Sequence, residues 1–389
     1  MSKLKVFSIV GTRPEGIKMA PLLKTLQGAA DLEVVLCLTA QHREMLDQVL
    51  ALFKLEAHYD LDIMEAGQSL TQITARSLTG LEKILQQEKP QLVLVQGDTT
   101  TTLAGSLAAF YQKIPLGHVE AGLRTGDKYA PYPEEINRRI NSVIAELHFA
   151  PTELSRNNLL QEGYPPEKIF VTGNTVIDAL KTTVRPGFVF SDPALKELDF
   201  RAHRVLLVEA HRRENLGTPL EEICRALLDL LQAFPDAFVV FPVHKNPIVR
   251  QTVSKYLQGH SRVLLLEPLD PLSFHNLMSR CHLILTDSGG IQEEAPALGK
   301  PVLVLRNVTE RPEALQAGTA MLAGTKRDTV FARASLLLTD SATYELMARA
   351  ANPYGDGQAS RRTLEAILYH FGRRKAPPRP FKPNTETKT

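Results

Sequence analysis

Short runs of β-branched and leucine residues alternate with helical periods along almost the whole chain. Val6–Val10, Glu33–Leu38, Leu92–Val95 and Leu116–Val119 form such runs in the first half. Val205–Val208, Phe238–Phe241, Val263–Leu266, Leu283–Leu285 and Val302–Leu305 follow in the second. Apolar runs without polar alternation belong to parallel strands buried on both faces. Over Glu15–Gln27, Ile17, Ala20, Leu22, Leu23 and Leu26 recur at helical spacing. The pattern predicts an α/β protein with two doubly wound, Rossmann-like domains. Pro186, Gly187 and Pro193 interrupt it within 172–204. An N-terminal domain is expected over 1–173, rejoined by a C-terminal helix at about 360–373, and a second domain over 174–359. The basic, proline-rich stretch 374–389 reads as a disordered tail.

Bulk properties narrow the picture. A chain of 389 residues exceeds one ordinary core, which agrees with two domains. With 45 basic and 43 acidic residues the net charge is +2, so neither nucleic acid nor a membrane surface is expected as a partner. No apolar run nears the ~20 residues of a spanning helix, and the N-terminus lacks the apolar core of a signal peptide. Cys37, Cys224 and Cys281 are widely spaced in apolar segments and read as reduced core residues, which suits the cytoplasm. No His/acid spacing matches a zinc site, so no metal is expected.

The polar residues with chemical potential gather at strand ends, where open α/β sheets bind ligands. His118-Val119-Glu120-Ala121-Gly122-Leu123-Arg124, followed by Pro133-Glu134-Glu135-Ile136-Asn137-Arg138-Arg139, sets acids and arginines around a loop after a strand. Carboxylates suit proton transfer and guanidinium groups suit phosphate. The alternative is a solvated loop running into a helix with Glu134–Arg138 and Glu135–Arg139 ion pairs. Gly11-Thr12-Arg13-Pro14-Glu15 opens the first helix, where an anion is favoured and Arg13 and Lys18 add charge. A plain strand-to-helix turn is its competing reading. It is neither a dinucleotide fingerprint nor a Walker loop.

In the second half, Asp287-Ser288-Gly289-Gly290 precedes a helix on which Glu294 shares a face with Gly290. Ser288 is suited to cap it, two glycines admit a ligand to the backbone, and Glu294 suits a ribose diol. The competing reading is an ordinary capped helix. Glu209-Ala210-His211-Arg212-Arg213 ends another strand, and its His and arginines suit a departing diphosphate. Asp98, in Gly97-Asp98-Thr99-Thr100, is equally suited to act as a base or as a helix cap.

Together with Thr39-Ala40-Gln41-His42-Arg43, Thr309-Glu310-Arg311-Pro312-Glu313 and Asn352-Pro353-Tyr354-Gly355-Asp356-Gly357, these segments closely resemble the bacterial non-hydrolysing UDP-N-acetylglucosamine 2-epimerases. The resemblance runs over roughly residues 4–370, with the motifs in order. It implies a glycosyltransferase-B-like arrangement with the nucleotide-sugar in an interdomain cleft. It also implies a homodimer and reversible conversion of UDP-N-acetylglucosamine to UDP-N-acetylmannosamine through a glycal, with no cofactor, for cell-surface polysaccharide synthesis. Carried over by position, Asp98, Glu120, Glu134 and His211 become catalytic residues. Arg13, Lys18, Arg138, Phe274, Ser288, Gly289, Gly290, Glu294 and Arg311 become substrate contacts, with Phe274 near uracil. Gln41, His42, Arg43, Arg212 and His244 match an activator site for a second UDP-N-acetylglucosamine, with Glu44 standing where Gln is expected. Two further departures are Leu269, which is Gln in some relatives, and Glu209, where Thr is common. Residues i and i+2 of a strand share a face, so Glu209 adds a carboxylate near the leaving-group site. A hydrolysing epimerase or a UDP-sugar transferase of the same fold is the alternative, since fold alone does not decide.

Overall fold

A computed structural model describes residues 2–39, 43–65 and 67–383, excluding the side chains of 43–45. Two compact units emerge. The first comprises the described residues up to Thr182 together with Tyr354–Lys382, and the second is Thr183–Pro353 with Pro383.

The first unit is built on seven parallel strands: β1 (Leu4–Val10), β2 (Leu32–Leu38), β3 (Tyr59–Asp60), β4 (Leu92–Gln96), β5 (Leu116–Val119), β6 (Leu147–Ala150) and β7 (Ile169–Val171). Their order is β3-β2-β1-β4-β5-β6-β7. Val6 of β1 lies opposite both Val34 and Leu92. Its side chain joins Leu22 and Leu26 of the helix Arg13–Gln27 in one core, while Phe7 and Ile9 join Leu81 and Leu85 of the helix Leu70–Glu88 in another. Both faces of the strand are covered by helices, which is why it reads as an unbroken apolar run.

The second unit repeats the plan with six parallel strands: β8 (Arg204–Glu209), β9 (Ala237–Pro242), β10 (Val263–Leu266), β11 (Leu283–Thr286), β12 (Val302–Val304) and β13 (Ala320–Leu322), in the order β10-β9-β8-β11-β12-β13. Leu206, Val208 and Phe241 pack with Ile223, Leu227 and Leu230 of the helix Thr218–Ala233. The doubly wound α/β class predicted for both halves is what the molecule has. β3, β6, β7 and β13 have no counterpart among the predicted apolar runs, although β12, of only three residues, does.

Each sheet reverses its winding at one place: between β1 and β4 in the first unit, and between β8 and β11 in the second. Ligands of open α/β sheets bind beyond the strands' carboxyl ends at such a point. Four of the motifs picked out by chemistry follow these four strands.

The division at Thr182 lies beyond the boundary expected after 173, because the helix Thr175–Thr183 places Ala179 in the first unit's core. The tail also differs from expectation. Phe381 is buried and its N–H reaches the carbonyl of Val171 at 2.8 Å, so residues 374–382 belong to the first unit, while 384–389 of the expected tail lie outside the described residues. The three cysteines are buried and free, and burial pushes each thiol up to about 12.

Candidate active site

In the first unit the loops after β1, β4 and β5 are tied to one another. Glu15 is the hub. Its Oε2 accepts from the N–H groups of Gly11 (2.7 Å) and Thr12 (2.6 Å), and its Oε1 accepts from the hydroxyls of Thr99 and Thr102. This closes a capping box on the helix Arg13–Gln27 and joins it to the loop after β4. A Cβ on Gly11 would overlap the Thr101 and Thr39 hydroxyls, so only glycine lets the strands' ends come this close. Arg13 and Lys18 lie on the helix so anchored, both half-buried.

Glu120 follows β5 with φ +66°, a left-handed conformation that a non-glycine residue adopts at a cost and that clusters at functional sites. Its buried carboxylate takes both oxygens to Lys18 Nζ, at 2.7 and 2.8 Å, and accepts from Gln96 and from Asn174 (3.4 Å). Asp98, after β4, pairs with Arg138 at 2.7 Å, and Asn137 donates to its carbonyl. Glu134 opens the helix Glu134–Ile144 and is half-buried. Of the two i,i+4 pairs of the alternative reading, Glu135 with Arg139 is formed. Arg138 and Arg139 both reach Glu135, at 3.2 and 3.1 Å. Burial works against the charge of Glu135. The Thr125 N–H, Arg139, Arg138 and the Gly126 N–H outweigh it and hold the carboxyl below the usual range. Arg124 is a structural clamp, bound to Glu162 at 2.7 and 2.8 Å and to Ser142 at 2.9 Å.

In the second unit Asp287, fully buried after β11, organises the loop after β8. Its Oδ2 accepts from the N–H groups of His211 and Arg212, both at 2.9 Å, and from Asn215 at 2.8 Å. Glu209 places Oε1 3.0 Å from His211 Nδ1, while Thr286 donates to its Oε2 at 2.9 Å. The ring of His211 stacks on His244 with centroids 4.8 Å apart. The Glu209 contact outweighs burial and raises the His211 pKa; burial and the neighbouring His211 lower that of His244. Arg212 reaches the Asp287 carbonyl and Glu310.

The turn after β11 is open in the way the glycines suggest. A Cβ on Gly289 would meet Glu310 at 3.4 Å and the Arg311 guanidinium at 3.7 Å, and one on Gly290 would meet Glu294 at 3.6 Å. Arg311, Glu294 and the two glycines are therefore neighbours. Ser288 occupies the cap position, but its hydroxyl makes no capping bond. Phe274 lies half-buried on the helix Pro271–Arg280, whose His275 comes within 3.4 Å of Glu294. Of the activator set, Gln41 and His42 lie outside the described residues and Arg43 is described only by its backbone, which opens the helix Arg43–Phe53. Arg212 and His244 flank His211.

With this geometry in hand, the comparisons are specific. Residues 24–368 match the family model described as UDP-N-acetylglucosamine 2-epimerase. This chain belongs to that family. It is 53% identical to the UDP-N-acetylglucosamine 2-epimerase of Bacillus subtilis over 381 residues, covering 98% of this chain and 99% of the relative. It is 54% identical to that of Escherichia coli K12 over 370 residues, with 94% and 98% covered. Among solved structures, the Neisseria meningitidis UDP-GlcNAc 2-epimerase bound to UDP-GlcNAc matches with a TM-score of 0.88 and 50% identity, covering 94% of this chain and 100% of that one.

Several residues that shape the site for this family's chemistry were not singled out from sequence. Glu15, Gln96, Glu135, Asn174, Asp287 and Glu310 hold the others in place. Glu310 is drawn in two directions: burial would raise its pKa, but Arg212, Arg306 and Arg311 pull it down to about 2. Glu209, His211 and Asp287 also bring two carboxylate oxygens and a ring nitrogen within 4.8 Å of one another, a grouping that spacing along the chain does not disclose.

Proposed function

We propose that this chain interconverts UDP-N-acetylglucosamine and UDP-N-acetylmannosamine by inversion at carbon 2. The observation that carries this is the set of cation-paired acids at the carboxyl ends of β4 and β5, buried Glu120 with Lys18 and half-buried Asp98 with Arg138, alongside Glu134. The second unit supplies an anion cradle of His211, Ser288–Gly290 and Arg311, with Glu294 for the ribose and Phe274 for uracil. The hydrogen on carbon 2 is only weakly acidic, so direct removal with the substituents intact is slow. A base takes that proton while the bond from carbon 1 to UDP breaks, leaving a carbon 1–carbon 2 double bond. Return of a proton to the opposite face of carbon 2, with UDP re-adding at carbon 1, completes the inversion. Electrons balance without an oxidant, so no redox cofactor is required. Glu120, Glu134 and Asp98 are the acid/base groups, and one well-placed group typically contributes ~10²–10⁴-fold. Gln41, His42, Arg43, Arg212 and His244 are assigned to a second nucleotide-sugar acting as activator.

The chain acts in the cytoplasm, in the supply of sugars for surface polysaccharides; among the described residues no helix is long and apolar enough to cross a membrane. A homodimer is supported by the exposed Phe110, Tyr111 and Val143 on the helices Thr100–Tyr111 and Glu134–Ile144. Sedimentation equilibrium should give twice the 43.1 kDa chain mass, and the chain mass alone would refute the dimer. For the reaction, the enzyme is incubated with UDP-N-acetylglucosamine in deuterated water. Deuterium at carbon 2 of UDP-linked product is expected. Release of free N-acetylmannosamine would indicate the hydrolysing reaction instead, and absence of exchange would end the epimerase reading.

A further inference from the structure

Glu209 has no part in the proton transfers above, yet it is the residue nearest the His211 ring nitrogen that faces the protein. Its Oε1 lies 3.0 Å from Nδ1, and its other oxygen is fixed by the Thr286 hydroxyl at 2.9 Å, so the carboxylate is held in one orientation. A second carboxylate, Asp287, has Oδ1 3.8 Å from the same nitrogen and is fully buried. Asp287 is immobilised through three N–H bonds to its other oxygen. Two fixed carboxylates therefore lie near Nδ1, a buried nitrogen that no aligned hydrogen bond yet satisfies. Against them stand Arg212, the adjacent cation, and His244, stacked on the other side of the ring.

We propose that Glu209 is a positioning residue that keeps a proton on His211 Nδ1 and the ring in its cationic form, leaving Nε2–H as a charged donor for the diphosphate of UDP. This deepens the reading of His211 as a leaving-group contact and rests on it. The chemistry is that of a carboxylate orienting a histidine, which fixes the tautomer and stabilises the imidazolium. An opposite charge at this distance favours the charged form by about 1–3 pH units. The raised His211 pKa has the matching sign: the cation persists to higher pH than in a free imidazole, and the donor is lost as pH rises through that raised value.

The test uses full-length enzyme labelled on its histidines, with the His211 signal assigned by loss in His211→Asn. Titration by NMR is compared in the parent, Glu209→Gln, Glu209→Thr and Glu209→Asp, alongside UDP affinity as a function of pH. Both neutral variants should lower the His211 pKa by about one unit or more. They should also move the alkaline loss of UDP affinity to lower pH by the same amount, up to a tenfold weaker Kd between the two pKa values. Glu209→Asp should recover part of the shift, which a purely structural role would not predict. An unchanged His211 titration in Glu209→Gln overturns the proposal, as does a lowered pKa with no movement of the affinity profile. Failure of carbon 2 exchange would strike the epimerase reading but leave the titration result standing, so the two remain separable.

Discussion

Glu120 shows how far single residues can be read in advance. Its type, its place after a strand and its neighbours mark it as an acid/base group, and the fold gives it a buried carboxylate held by Lys18, Gln96 and Asn174. Replacement by Gln keeps the shape and removes the proton-carrying function. Glu120→Gln and Glu134→Gln are each expected to lower kcat about 100-fold or more while UDP still binds, because both are assigned to the sugar and not to the nucleotide. Steady-state kinetics with calorimetric UDP titration checks this, and a variant retaining a tenth of parental kcat would be removed from the role. What the sequence hid is partnership. Glu134 and Glu135 are adjacent acids of one helix, pointing about 100° apart, and nothing local says that Glu135 takes both arginines. Likewise Glu310 stands four residues from Arg306, a legible pair, but its bond to Arg212 spans 98 positions. Because those guanidiniums hold its pKa near 2, below the ordinary carboxylate value, its stabilising contribution is present above about pH 4.5 and disappears as pH falls toward 2. Glu310→Gln should remove that acid-side loss from the second unit's stability profile. Denaturation across pH measures this; an unaltered acid limb would show that other carboxylates carry it.

At the scale of elements, the apolar run and not its length decided what was legible. β1 and β8 carry unbroken apolar runs because helices cover both their faces, and β12 is read on three residues, whereas His148 interrupts β6. The topology then does what no motif could disclose: it puts β1 and β4 side by side, with Val6 opposite Leu92. Glu15 is the joint between those elements. It belongs to the family motif, but its reach to Thr99 and Thr102 becomes visible only when β4 lies beside β1. Glu15→Ala leaves the buried N–H groups of Gly11 and Thr12 without their acceptor, at about 1–3 kcal/mol for each group unpaired. A loss of that size in the first unit's unfolding free energy is expected by urea denaturation, with a smaller loss for Glu15→Gln, which keeps an acceptor oxygen. Equal stability of Glu15→Ala and the parent would show that water or a rearranged loop replaces the carboxylate.

At the scale of the molecule, the two units differ in how they are closed. The second is essentially a continuous stretch, Thr183–Pro353, while the first is completed only when the chain returns at Tyr354. The return is held at several levels. Asn174 donates to the Tyr354 carbonyl at 2.6 Å, and Asp178 caps the helix Ala359–His370 through the N–H groups of Ala359 and Ser360. Ala366 and Ile367 enter the same core as β1 and the helix Arg13–Gln27. Beyond the helix, Phe381 bonds to the carbonyl of Val171 on the edge strand β7 and lies 5.6 Å from the Arg362 guanidinium. An edge strand left bare invites unwanted pairing, and this segment covers part of it. Composition pointed the other way, since arginines and prolines with few apolar residues read as disorder; one aromatic side chain and one backbone bond outweigh that average. Removal of 354–389 uncovers core side chains of the first unit and deprives Asp178 of both its backbone donors, but touches no core residue of the second. Hydrogen exchange of the truncated chain should therefore show lost protection over β1, β4 and the helix Arg13–Gln27, with β8 and β11 still protected and UDP binding weakened but measurable. Protection of β1 equal to that of the full chain would mean that the first unit closes its core without the returning helix.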